Sequence, residues 1–82
     1  MSAQKNAKMK FQMGMDMTYD ELVHLDMVDR CRYVVLKHFP RGFSAGEVAA
    51  KLNSMHPELP NEPHYTPMEV YDALQTFYGS PT

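Results

Sequence analysis

Two matched helix starts in the last third of the chain constrain its fold more than any other feature. Ser44-Ala45-Gly46-Glu47 and Thr66-Pro67-Met68-Glu69 each set a hydroxyl three residues ahead of a glutamate. In that arrangement side chain and backbone satisfy each other's free N–H groups at a helix N-terminus. Pro67 falls at the first helical position, where its missing N–H costs nothing, and it holds Thr66 extended as a cap requires. Val48, Leu52 and Met55 follow the first cap, and Val70, Leu74 and Phe77 follow the second, so each helix carries one apolar stripe. Neither helix buries its stripe alone, and both need a third element.

The stretch before them supplies it. Thr18-Tyr19-Asp20-Glu21 repeats the capping pattern and opens a helical run that ends before Pro40, since proline is excluded from a helix interior. Leu25, Val28, Cys31, Val35, Leu36 and Phe39 share one broad face of this run, and Tyr19, Val23, Met27 and Val34 form a second stripe. The second stripe either covers a later helix or makes a two-fold contact with another copy, and Asp26 is a point at which the run would split in two. The pattern predicts an all-α small three-helix bundle with helices near residues 18–38, 45–55 and 67–78. Its expected core is Leu25, Val28, Val35, Phe39, Phe43, Val48, Leu52, Val70, Leu74 and Phe77, with Phe43 packing back onto Val48 as a hydrophobic staple.

Residues 1–17 form a separate tail. There Met9, Phe11, Met13, Met15 and Met17 alternate with Lys10, Gln12, Gly14 and Asp16, a period of two that predicts a strand-like segment, or a flexible one because methionine and glycine are poor strand formers. Residues 56–65 carry a proline at every third position, Pro57, Pro60 and Pro63, and read as a stiff connector between helices. Gly79 closes the domain of residues 18–79, and residues 80–82 are a tail.

Composition narrows the function. Eighty-two residues make one small domain. One cysteine makes no internal bridge, and no leader or long apolar run is visible, so a reducing cytoplasm and no membrane partner are expected. His24, His38, His56 and His64 are scattered, and Cys31 sits on an apolar face, which offers no clustered metal ligands. No phosphate loop, nucleophile elbow or paired acid stands out. The expectation is a protein that is not an enzyme and carries no cofactor and no metal.

The order of Val34 to Phe39, then Phe43-Ser44-Ala45-Gly46-Glu47-Val48-Ala49-Ala50-Lys51-Leu52, then Thr66 to Phe77 resembles the tri-helical core of winged-helix and helix-turn-helix proteins over residues 26–78. The resemblance implies a third helix that reads DNA through Thr66, Met68, Glu69, Tyr71, Asp72 and Gln75. All eight Lys and Arg lie in residues 1–51, however, and the third helix has none, whereas phosphate neutralisation supplies most DNA affinity. The connector is also long for a helix-turn-helix, and no residues remain for a wing hairpin. A protein partner suits the segment better, gripped by Met68, Tyr71, Tyr78, Glu69, Asp72, Met13 and Met15. The expected role is a small regulator or inhibitor of a larger protein, of the kind phages encode. The alternative is a dimeric DNA-binding regulator that uses Lys5, Lys8, Lys10, Arg41 and Lys51. A homodimer is expected to form through Tyr19, Val23, Met27 and Val34 together with the alternating tail.

Overall fold

The computed structural model describes residues 3–55 and 65–78. Those residues are all-helical, with five helices: α1 (Ala3–Gln12), α2 (Tyr19–Leu22), α3 (Met27–His38), α4 (Ala45–Met55) and α5 (Pro67–Tyr78). The proline connector, apart from Tyr65, and the Gly79 cap lie outside the described residues.

All three capping boxes form. The Glu21, Glu47 and Glu69 backbone N–H groups donate to Thr18 Oγ1 at 3.3 Å, Ser44 Oγ at 3.1 Å and Thr66 Oγ1 at 3.2 Å, and each glutamate carboxylate accepts from the cap residue's own N–H. The run from Thr18 divides at Asp26, whose Oδ1 accepts from the Asp29 N–H at 2.8 Å and starts α3 as a new helix. The break is held open by Arg30. Its guanidinium donates to the carbonyls of Leu22 at 3.2 Å, Val23 at 3.3 Å and Leu25 at 2.9 Å, and to Tyr65 Oη at 2.8 Å. Arg30 thus satisfies carbonyls that a continuous helix would have bonded internally.

α3 packs on α4 and α5, and α4 packs on α5. Leu22, Leu25, Cys31, Val34, Val35, Val48, Ala49, Leu52, Val70, Ala73 and Leu74 fill the space between them. Val34, assigned from its spacing to a dimer stripe, is fully buried, while Leu36, assigned to the core face, is exposed. The cause is the split at Asp26: α3 is covered on two sides, so Cys31, Val34 and Val35 all turn inward, and Leu36, about 100° further round, faces solvent. Val28 and Phe39 are half-buried at the margin of this core.

Two aromatics expected inside are outside. Phe43 follows Gly42, whose φ of 146° is a turn conformation that suits glycine, and its ring lies 5.8 Å from that of Tyr78 on the surface. Phe77 leaves the α4–α5 seam and covers the guanidinium of Arg32 instead, 3.6 Å from carbon to ring centroid.

The tail is the largest correction. Residues expected to be strand-like or flexible form α1, and Gly14, read as a strand interruption, is its C-terminal cap. With φ at 73°, Gly14 donates to the Phe11 carbonyl at 3.1 Å, and the Met15 N–H reaches back to the Lys10 carbonyl at 3.0 Å. This paired closure needs a left-handed residue at that position. Ala7 buries against the core and Phe11 half-buries beside it. Lys8 donates to Asp29 Oδ2 at 2.7 Å, Arg32 donates to Asp29 Oδ1 at 3.1 Å, and Lys10 pairs with Glu21. Arg32 also stacks over Phe11 at 5.1 Å, which places its charge between the rings of Phe11 and Phe77. After the cap, Lys37 Nζ holds the Gly14 carbonyl at 2.9 Å, and the Met17 N–H donates to the buried Tyr33 hydroxyl at 2.8 Å.

Candidate functional site

α5 sorts the residues assigned to it into two faces. Met68, Tyr71, Gln75 and Tyr78 recur at helical spacing on one side. There Met68, Tyr71 and Tyr78 are 74%, 57% and 52% exposed, large apolar groups left in water by a helix that has already buried Val70, Ala73 and Leu74. Tyr71, Gln75 and Tyr78, together with Leu74, Phe43, Ser44 and Ala45, line a groove of about 430 Å³ between α5 and the start of α4. Phe43, missed as a surface residue because its position before a cap favours packing inward, forms one wall. Tyr78 also meets Phe77 edge-on with centroids 4.8 Å apart, so Phe43, Tyr78 and Phe77 are a connected aromatic cluster running to Arg32.

Glu69 and Asp72 lie on the other side of α5 with Thr76, over a shallow depression shared with Met27 and Val28. Glu69 Oε1 accepts from the Thr66 N–H at 3.1 Å, so much of its hydrogen-bonding capacity serves the helix start. Asp72 remains the acidic group nearest the exposed aromatic face in sequence.

Met13 and Met15 belong to a different place. They line a groove of about 570 Å³ with Asn6, Ala7, Met9, Lys10, Asp20, Glu21 and His24. The methionines assigned to one binding surface are thus separated, Met68 on the exposed face of α5 and Met13 and Met15 in the groove beside α1.

The residues assigned to a dimer are not assembled as a stripe. Val34 is interior; Tyr19 is half-buried, and its hydroxyl lies 2.6 Å from that of Tyr65 with the rings edge to face. Tyr65 is bracketed in turn by Asn53, which accepts its N–H at 2.8 Å and donates to its carbonyl at 3.0 Å. Met27 is half-buried, and Val23 is exposed.

The basic residues are dispersed as well. Lys5, Lys8 and Lys10 are on α1, Arg41 is in the α3–α4 turn and Lys51 is on α4. Hydrogen bonding and charge from Asp29 raise the Lys8 ammonium above its usual pKa, and a hydrogen bond from Lys10 followed by one from the Thr18 backbone hold the Glu21 carboxyl below its usual range. Burial, then the charges of Lys51 and Lys37, push His38 down. Burial pushes the Cys31 thiol up to about 11, so it is a neutral core group at physiological pH, as its place on an apolar face predicts.

Among the described residues, no helix is long and apolar enough to cross a membrane, and no group of three or more His, Cys, Asp or Glu stands together as a metal site. Compared with protein-family models, with curated proteins and with solved structures, the chain matches none at a significant level.

Proposed function

We propose that this is a small non-enzymatic binding protein that regulates a larger protein partner, with α3, α4 and α5 acting as a helix-turn-helix-like scaffold whose third helix grips protein instead of DNA. The observation that carries this reading is the groove walled by Phe43, Tyr71 and Tyr78, with Met68 exposed on the same side of α5. Aromatic residues and methionine are enriched where binding energy concentrates. α5 bears Glu69 and Asp72 and no base, so the segment that suits it is apolar with Lys or Arg beside it. The DNA alternative is less well supported: Lys8 and Lys10 serve ion pairs within the fold, and an acidic α5 repels phosphate.

The test is capture from lysate, with and without nuclease treatment, by wild type and by Tyr71→Ala/Tyr78→Ala. Both substitutions are on exposed positions, so far-ultraviolet circular dichroism should stay unchanged while capture falls by about tenfold or more, given roughly 1–2 kcal/mol per central aromatic. Affinity for the recovered partner should vary little with salt. Recovery of nucleic acid alone, lost steeply with salt and abolished by Arg41→Glu/Lys51→Glu, overturns the reading in favour of DNA.

A further inference from the structure

The methionine-rich run that the α5 reading leaves unused has its own geometry. Met9 and Met13 are one helical turn apart, linked by the Met13 N–H to Met9 carbonyl bond at 3.0 Å, and so share a face of α1. The left-handed Gly14 reverses the chain immediately afterwards, and Met15 comes back to the same groove. His24, in the turn between α2 and α3, lines it too. Three thioethers and one imidazole from two separate segments thus meet around one space. Packing does not account for them. Met17, next in the run, is 6% exposed and belongs to the core, whereas Met13 is 67% exposed and Met9 and Met15 are also open to solvent.

We propose that Met9, Met13, Met15 and His24 form a binding site for Cu(I). Thioether sulfur is a soft, uncharged ligand that selects Cu(I) and leaves Zn²⁺, Mg²⁺ and Ca²⁺ to thiolate, carboxylate or multiple imidazole donors. Those harder donors are not grouped in threes among the described residues. Methionine has three rotatable bonds, so exposed side chains around a groove of about 570 Å³ can converge on an ion without moving the backbone. The charge of the walls agrees with a cation. Lys10 is matched by Glu21, and Asp20 adds a carboxylate. Cys31, the one thiol of the chain, is a competing soft ligand, but it is fully buried and held neutral.

The experiment is a titration of the full chain with Cu(I), kept reduced by ascorbate, against a chromophoric Cu(I) chelator. Wild type and Cys31→Ala should each withdraw a single equivalent, and Zn²⁺ should not displace it. Met13→Leu should weaken binding at least about tenfold, because losing even an outer-shell partner of a metal costs that much. Met9→Leu/Met13→Leu/Met15→Leu should abolish it with the circular dichroism spectrum retained, and His24→Gln should weaken it. In a methionine-methyl nuclear magnetic resonance spectrum, Ag(I) should shift Met9, Met13 and Met15 and leave Met68 in place. No withdrawal by wild type, withdrawal lost in Cys31→Ala, or equal binding by the triple variant each overturns the site. Should the triple variant unfold, Met13→Leu decides, since Met13 is the most exposed of the three.

Discussion

α4 and α5 meet through Val48, Leu52 and Val70, aliphatic side chains with no surface left to water, whereas α1 lies against the rest through one alanine, half of a phenylalanine and the charged ends of Lys8, Lys10 and Arg32. The first contact is non-directional and scales with the area buried. The second depends on particular partners, Asp29 for Lys8, Glu21 for Lys10 and the Phe11 ring for Arg32. Two helices of similar length in one small protein are therefore held by unlike forces, and they should respond differently to substitution and to pH.

The largest test strikes the apolar side. Leu74→Ala removes a buried side chain shared by α5 and its neighbours and should lower global stability by about 2–5 kcal/mol in a urea melt. An unchanged midpoint would remove Leu74 from the core. The next test strikes the polar side. Asp29→Ala takes the shared carboxylate from Lys8 and Arg32, whose heads are partly exposed and regain water, so the loss should be about 1–2 kcal/mol. It should be local: amide exchange in α1 should quicken while α4 and α5 keep their protection. Uniform quickening would make α1 part of the same cooperative unit and dissolve the contrast.

The smallest test is acid. Glu21 has its carboxyl pKa lowered from 4.5, chiefly by Lys10. A lowered folded-state pKa means that the stabilisation is present above the unfolded value and is lost as pH falls through the folded one. The Glu21 side-chain titration should accordingly have its midpoint below 4.5 in wild type and move up in Lys10→Ala, with the Thr18 and Glu21 amides losing protection in step. A wild-type midpoint at or above 4.5 contradicts the α1–α2 tether.

The same difference explains what was legible in the sequence. Ser44, Thr66 and Thr18 announce helix starts because a capping box is closed by residues three apart, and Val48, Leu52, Val70 and Leu74 are identified as core by spacing alone. α1 was obscured. Its alternating methionines imitate strand periodicity, while the truer signals were the helix-favouring Ala, Gln and Lys residues, Ala7 and Phe11 four apart, and a glycine just past the last turn. The destinations of Phe77 and Phe43 were not legible, because Phe77 goes to Arg32 and Phe43 to Tyr78, and each of these pairs is far apart in sequence. The role of Arg30 was not legible, since nothing local reveals that three carbonyls of a broken helix would converge on it. On the candidate site, spacing did identify Met68, Tyr71 and Tyr78 as one exposed face, but it did not separate them from Met13 and Met15, whose groove exists only because the tail is helical.

The sandwich of Arg32 between Phe11 and Phe77 has a consequence for how the chain is made. A ribosome delivers Phe11 early, Arg32 later and Phe77 near the end of the described chain. The contacts of Arg32 with Phe11 and of Asp29 with Lys8 involve only residues up to α3, whereas the second ring requires α5. The two sides of the guanidinium thus depend on stretches of chain that are made at different times.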